Sequence, residues 1–104
     1  MRHFDELLEE LRKKLLDMSG LVQSAIRGSV HALEAADESG VQSVYKREGD
    51  INRLELEIDE IATRILALDQ PVANDLRFVT AASKINNNLE RFGDLAMNIA
   101  ERAE

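Results

Sequence analysis

The stretch that decides the fold of this chain is Lys84-Ile85-Asn86-Asn87-Asn88-Leu89-Glu90-Arg91-Phe92-Gly93-Asp94-Leu95-Ala96-Met97-Asn98-Ile99-Ala100-Glu101. Its apolar residues recur at alternating intervals of four and three, which is the spacing of one face of an α-helix. They are Ile85, Leu89, Phe92, Ala96 and Ile99. Beside them runs a polar ladder of two carboxylates and two amides, formed by Asn87, Glu90, Asp94 and Asn98. The stretch predicts an amphipathic helix with an acidic, amide-rich polar face.

The same alternation runs through the first part of the chain and predicts a helix over residues 4–36. Gly20 and Gly28 fall inside this pattern, where each costs about 1 kcal/mol relative to alanine, so we expect a neighbouring helix to approach closely there. The segment Asp37-Glu38-Ser39-Gly40 predicts the first break. Acids are unfavourable at the C-terminus of a helix, and glycine commonly ends one.

A second helix is predicted over residues 41–68. Its apolar stripe consists of Ile51, Leu54, Ile58, Ile61, Ile65 and Leu68. A second polar ladder lies beside this stripe and consists of Glu48, Asn52, Glu55 and Asp59. The segment Asp69-Gln70-Pro71 predicts the second break, because proline suits the first position of a helix. The third helix is therefore predicted over residues 71–103.

Short connections force neighbouring helices to run antiparallel, so the sequence predicts an all-α, up-down-up three-helix bundle. A length of 104 residues indicates one domain, residues 1–104. A composition of 44% hydrophobic and 32% charged residues, with few glycines and aromatics, favours helices over sheets. All three stripes are wide, which indicates more apolar surface than three helices can hide from one another. We therefore expect a self-associating unit or one half of a larger bundle.

The charge and the residue content exclude several classes of function. A net charge of −7 argues against direct binding of nucleic acid or anionic lipid. The absence of cysteine excludes disulfides, zinc–thiolate sites and thiol nucleophiles. No serine belongs to an Asp/His pattern that would activate it and no Gly-rich phosphate loop is present, so we expect no enzyme. The lack of a long apolar run or a secretory signal predicts a cytoplasmic protein that does not insert into the membrane.

Two acidic pairs, Glu55/Asp59 and Glu90/Asp94, are the candidates for a binding site. Carboxylates four residues apart on a helix project side by side and repel each other by a few tenths of a kcal/mol, and a bound cation reverses that sign. Hard cations favour carboxylate and amide oxygens. The pattern predicts a site for iron, manganese, magnesium, calcium or zinc. Its ligands would be Glu90, Asp94, Glu55 and Asp59, supported by Asn52, Asn87 and Asn98.

A solvated acidic surface is the alternative. Random placement of 20 acids in 104 residues gives about four acidic pairs with this spacing, and the sequence contains five. They are Asp5/Glu9, Glu6/Glu10, Glu34/Glu38, Glu55/Asp59 and Glu90/Asp94. The last two differ from the others because they lie in ladders with asparagine beside an apolar stripe. In addition, Gly93 separates the members of the final pair.

Three motifs of the second half are Glu55-Leu56-Glu57-Ile58-Asp59, Pro71-Val72-Ala73-Asn74-Asp75-Leu76-Arg77-Phe78-Val79 and Leu89-Glu90-Arg91-Phe92-Gly93-Asp94. Together with the opening Phe4-Asp5-Glu6-Leu7, they resemble the PhoU family of phosphate-transport regulators. The resemblance covers essentially the whole chain, and the Leu-Glu-Arg-x-Gly-Asp element is its most specific part.

The resemblance implies two three-helix repeats in a six-helix arrangement, of which this chain has the length of about one. It implies negative regulation of phosphate uptake and of the phosphate-starvation response, through contacts with a phosphate ABC transporter and a sensor histidine kinase. These partners would place the protein at the periphery of the inner membrane. It also implies an acid-x-x-x-Asp motif that binds metal clusters, carried here by Glu90/Asp94 and Glu55/Asp59. The family often has an acid two residues before Glu90, where this chain has Asn88.

Two other interpretations stay open at this point. One is a metal-binding helical protein without a role in phosphate signalling, and the other is a ligand-free helical adaptor whose acids keep the surface soluble. In the PhoU-like interpretation we expect a homodimer, in which a second copy supplies the other repeat and sets ladder against ladder. The residues leave open whether the chain is a natural single repeat or a fragment.

Overall fold

Three α-helices form the chain in a computed structural model that describes residues 3–36, 38–68 and 73–103. They are α1 (His3–Ala35), α2 (Glu38–Leu68) and α3 (Ala73–Ala103), and no strand occurs within those ranges. Each helix packs against the other two, in a body measuring 50 × 20 × 15 Å. The longest axis matches α1, whose 33 residues span about 50 Å at 1.5 Å per residue. The predicted all-α three-helix bundle is confirmed.

The first connection is shorter than the predicted break. Ala36 has a φ of 53° and ends α1 in the left-handed region, where a non-glycine residue costs roughly 1–2 kcal/mol. α2 then begins at Glu38, three residues before the predicted start, so Ser39 and Gly40 are helical. An acid in the first turn of a helix is favoured by the macrodipole, which explains the early start. Asp37, the predicted second break at Asp69-Gln70-Pro71 and the predicted start of the third helix at Pro71 lie outside the described residues.

The long side chains of the core come mainly from α1 and α2. The largest fully buried ones there are Leu11, Met18, Ile51, Ile58 and Ile65. α3 contributes smaller residues, which are Val79, Ala82, Gly93, Ala96 and Ala100. Because two helices already fill the interior with long side chains, the third one packs against them through a smooth, narrow face.

The apolar stripe predicted for α3 is therefore only partly right. Leu89 and Ala96 face the core, whereas Ile85 and Phe92 are 48% and 49% exposed. The buried face runs instead through Val79, Ala82, Asn86, Leu89, Gly93, Ala96 and Ala100, with the same alternation of three and four. Two stripes with helical spacing thus overlap on α3, and the one with smaller residues is buried.

Glycine permits close helix contact at two positions. A Cβ on Gly28 would lie 3.4 Å from Cγ2 of Val44, which confirms the expected close approach at Gly28. At Gly20 the expectation is wrong, because a Cβ there meets nothing within 4 Å. The second close approach is at Gly93, whose Cβ would lie 3.3 Å from Cγ2 of the buried Ile51. None of the helices, over the residues that the structure describes, is long and apolar enough to cross a bilayer.

Candidate metal centre

Three carboxylates from two helices converge at the contact between α2 and α3. One oxygen each of Glu48, Glu90 and Asp94 lies within 4.8 Å of the other two. Glu48 comes from α2 and is only 8% exposed, Glu90 is half-buried, and Asp94 is exposed. The group therefore extends from the edge of the core to the surface and is open on one side.

The missing side chain of Gly93 makes room for this group. A Cβ at that position would lie 3.1 Å from Oε2 of Glu48, which is closer than most Cβ contacts. Glu90 precedes the glycine by three residues and Asp94 follows it directly, so both acids lie on the same flank of α3, next to the Glu48 carboxylate. The sequence places a glycine between two acids, and the fold sets a third acid opposite that glycine.

The Glu48 carboxylate is incompletely satisfied. Its Oε2 atom is buried and has no hydrogen-bond partner among the described residues. A buried, unpartnered oxygen costs free energy, and more so when it is charged. Burial is the main cause that raises the pKa of Glu48 from 4.5 to about 7, followed by hydrogen bonding to Asp94 and by the charges of Asp94 and Glu90.

The pKa of Glu90 is also raised, mainly by burial and then by the charge of Asp94 and a hydrogen bond to it. The charge of Glu55 raises it further, and Arg91 opposes the shift only weakly. Among the residues that the structure describes, neither Glu48 nor Glu90 forms an ion pair. The group thus holds excess negative charge that a proton or a metal ion would neutralise.

The donor set fits a hard cation. Oxygens that share one ion at bond lengths of about 2.0–2.6 Å lie within roughly 5 Å of one another, as these three do. Three carboxylates supply fewer ligands than the six to eight that such ions usually take. The residues therefore fit a metal whose remaining coordination positions face outward.

Only two of the predicted site residues lie in the three-carboxylate group. It brings Glu90 and Asp94 together, and Glu55 lies near enough for its charge to affect Glu90. Glu55 and Asp59 follow Glu48 on α2 by about 10 and 16 Å along the helix axis, and neither belongs to the three-carboxylate group. The predicted supporting residues Asn52, Asn87 and Asn98 are all exposed.

Sequence reasoning missed one carboxylate of the site and one buried polar residue of the α2–α3 contact. Glu48 is the first member of the predicted α2 ladder, but the spacing of four directed attention to Glu55 and Asp59 instead. Asn86 is buried on the core face of α3, where its Nδ2 donates a hydrogen bond to the backbone carbonyl of Glu55 at 3.0 Å. A polar residue at a core position of the Val79–Ala100 stripe was the available signal.

A second charged group lies between α1 and α2 and is organised differently. Lys14 Nζ donates a hydrogen bond of 2.6 Å to Oε1 of Glu57, and both side chains are half-buried. This hydrogen bond is the main cause that lowers the pKa of Glu57. In this second group, a lysine of the chain itself balances the charge of the carboxylate.

Comparison with known proteins gives consistent results. The PhoU domain family matches residues 15–103. The chain is 45% identical over 102 residues to the phosphate-specific transport system accessory protein PhoU homolog of Pseudomonas putida, covering 98% of this chain and 40% of that protein. It is 35% identical over 100 residues to the phosphate-specific transport system accessory protein PhoU of Escherichia coli K12, covering 96% of this chain and 42% of that protein.

The fold agrees with a solved structure as well. The crystal structure of PhoU from Pseudomonas aeruginosa superposes with a TM-score of 0.93 at 44% sequence identity, covering 97% of this chain and 48% of that one. The chain thus spans less than half the length of the relatives that it matches. The match extends over the three carboxylates and the three helices, and it confirms the resemblance found in the sequence: the chain belongs to the PhoU domain family.

Proposed function

We propose that this chain is a regulatory module of phosphate uptake and of the phosphate-starvation response, acting through protein contacts rather than catalysis. Its relatives are accessory proteins of phosphate-specific transport systems. Its partners would be a phosphate ABC transporter and a sensor histidine kinase, which a cytoplasmic module could reach without inserting into the membrane.

The module would bind a metal ion through Glu48, Glu90 and Asp94. The observation that carries this proposal is the buried Oε2 of Glu48, which lacks a hydrogen-bond partner within the described residues and belongs to a group of three close carboxylates. A bound ion would neutralise the excess charge and offer outward-facing coordination positions. Iron(III), manganese, magnesium and calcium suit these oxygen donors better than zinc does.

Glu55 and Asp59 stay predicted ligands that would extend the acidic face along α2. Completion by a second copy of the chain is part of the proposal. Leu66 lies two turns beyond Asp59, and Leu76 shares a flank of α3 with Asp94 because eighteen residues make five turns. Both leucines are exposed, so a two-fold dimer that joins the acidic faces would also cover apolar surface.

Metal binding can be tested by isothermal titration calorimetry of EDTA-stripped protein with each of the proposed ions. We expect Glu48→Gln to weaken binding by about tenfold or more, because a ligand in the least exposed position is removed. Glu60→Gln is the matched control, since Glu60 is an exposed α2 acid that pairs with Arg64. Equal metal affinity of the unaltered chain, Glu48→Gln and Glu60→Gln would contradict the proposed centre. A loss of affinity in a further variant, Asp59→Asn, but not in Glu48→Gln would show that the ion binds farther along α2.

Regulation can be tested with a phosphate-starvation reporter in a bacterial strain that lacks its own PhoU-type protein. Expression of the chain should lower the reporter signal at high phosphate relative to an empty vector. A folded, abundant chain that leaves the signal unchanged contradicts the regulatory proposal. Sedimentation at micromolar concentration tests the dimer, which a stable monomer contradicts.

A further inference from the structure

α3 carries a second, mainly apolar stripe on a flank that the bundle covers only in part. Its residues alternate at intervals of three and four over three heptads, which is the a/d pattern of a coiled-coil helix. We call this stripe the outer seam, and it consists of Phe78, Ala81, Ile85, Asn88, Phe92, Leu95 and Ile99. At 100° per residue the seam lies on roughly the opposite side of α3 from Glu90 and Asp94, so it is separate from the metal centre.

The outer seam is accessible between its two ends. Ile85, Phe92 and Leu95 are 48%, 49% and 52% exposed, and Phe78 and Ile99 are half-buried. Exposed large apolar residues are ordinary when they occur singly, but a contiguous stripe at heptad spacing is the form in which helices recognise other helices.

A line of cations borders the seam. Arg77, Lys84 and Arg91 follow one another at intervals of seven, each directly before a seam residue. Arg77 donates a hydrogen bond to Oδ1 of Asn74, and no ion pair of Lys84 or Arg91 occurs in the described part of the chain. These positions correspond to the g positions of a heptad, which select partners by charge. Three cations in a row, none in an ion pair with another described residue, contrast with a chain whose net charge is −7.

The surface is concave at one end of the seam. A shallow groove of about 350 Å³ is lined by Leu76, Arg77, Thr80, Ala81 and Lys84. The small side chain of Ala81 lies between the two cations in this lining, which leaves room for a larger apolar residue of a partner beside two positive charges.

We propose that the outer seam binds an acidic amphipathic helix of a partner protein. Such a helix would place its apolar residues on Ile85, Phe92 and Leu95 and its carboxylates beside Arg77, Lys84 and Arg91. Charge disfavours a second copy of α3 in this position, because antiparallel pairing about Lys84 sets Arg77 against Arg91 and Lys84 against its equivalent. Asn88 in the middle of the seam favours a partner with a polar residue at the matching position and thereby defines the register.

Fluorescence anisotropy with two labelled synthetic peptides tests this proposal. Both peptides are amphipathic helices of three heptads with leucine at a and d, and they differ only in having glutamate or lysine at e and g. The chain should bind the glutamate peptide at least about tenfold more tightly than the lysine peptide, and the preference should shrink with added salt.

Two variants separate the apolar contribution from the charge contribution. Ile85→Gln/Phe92→Gln should weaken binding of the glutamate peptide about tenfold or more, whereas Leu56→Gln, at an exposed leucine of α2, should not. Arg77→Glu/Lys84→Glu should reverse the preference toward the lysine peptide. All replaced side chains are exposed, and circular dichroism checks that each variant remains helical.

Three results would overturn the proposal. One is equal binding of both peptides, and another is no binding of either. The third is sedimentation that shows a dimer of the unaltered chain which dissociates in Ile85→Gln/Phe92→Gln, because the occupant of the seam would then be a second copy. None of these results bears on the metal centre, since calorimetry reports that site independently.

Discussion

Two glutamates of α2, nine residues apart, have opposite surroundings. Glu57 accepts a hydrogen bond from Lys14 of α1, and its pKa is lowered. Glu48 is buried against two acids of α3, and its pKa is raised to about 7. A glutamate of α2 is thus paired with a cation where α2 contacts α1, whereas a glutamate of α2 lies beside two further acids where α2 contacts α3.

The difference shows at which helix contact these charges are balanced by other residues of the chain. Between α1 and α2 an acid meets a base, so the contact requires no further component. Between α2 and α3 the three acids face no cation in an ion pair among the described residues, and a proton or an external cation would neutralise their charge. A bundle that needed only stability would place an apolar side chain at position 48.

The largest expected effect concerns the pH dependence of the metal-free protein. The folded-state pKa of Glu48 lies above its unfolded value of 4.5, so the folded state binds the proton more tightly. The stabilisation is therefore complete below about pH 4.5 and is lost as the pH rises through about 7, at a cost on the order of 1–3 kcal/mol. Urea unfolding in EDTA from pH 5 to 8.5 measures this change.

Glu48→Gln isolates the contribution of that side chain from those of the other carboxylates. The variant should resemble the unaltered chain at pH 5 and be more stable than it at pH 8. A difference in unfolding free energy that stays constant over this range would show that Glu48 has an ordinary pKa.

An intermediate effect is expected from paired glycine substitutions. Gly49→Ala should stabilise the protein by up to about 1 kcal/mol, because its Cβ meets nothing within 4 Å and alanine favours the helix. Gly93→Ala gains the same helix propensity but sets a Cβ 3.1 Å from Oε2 of Glu48 and 3.3 Å from the buried Ile51. We therefore expect Gly93→Ala to be about 1–2 kcal/mol less stable than Gly49→Ala by denaturant unfolding.

The metal affinity of Gly93→Ala should also fall, whereas that of Gly49→Ala should not. Equal stability and equal affinity of the two variants would show that the α2–α3 contact accommodates a methyl group freely, and that Gly93 does not shape the site.

The smallest effect is expected on the other side of α2. Lys14→Met should destabilise the protein slightly at neutral pH, and the loss should diminish in high salt because the Lys14–Glu57 pair is partly screened. The pKa of Glu57 is lowered on folding, so the stabilisation is present above its unfolded pKa and is lost as the pH falls through the folded pKa. A loss that persists unchanged at acidic pH would contradict this account.

The sequence was sufficient for the helices of α1 and α2, whose core stripes contain long side chains at regular intervals. The prediction of the buried face of α3 was partly wrong, because Ile85 and Phe92 are the bulkier apolar residues and yet are exposed on the surface of the bundle. Which of two overlapping stripes is buried depends on the space that the other helices leave, and this space is a property of the packed bundle. At the first connection, a glycine expected to end α1 lies inside α2, since Ala36 takes the left-handed conformation instead.

The candidate site was predictable only within one helix. The spacing of Glu90 and Asp94 places both acids on one flank of α3, but it contains no information about their neighbour on α2. Glu48 precedes Glu90 by 42 residues in the sequence. Only the packing of α2 against α3 determines that Glu48, rather than Glu55 or Asp59, lies beside the two acids of α3.

The hydrogen bond from Asn86 to the Glu55 carbonyl favours one position of α3 along the axis of α2. The core face of α3 consists mainly of alanine and glycine, which offer little resistance to sliding along α2. A slide of one turn, about 5.4 Å, would separate Nδ2 of Asn86 from its carbonyl and leave it unpaired in the interior, as Oδ1 of the same amide already is among the described residues. The same slide would move Glu90 and Asp94 past Glu48, so the buried amide of Asn86 favours the register in which the three carboxylates converge.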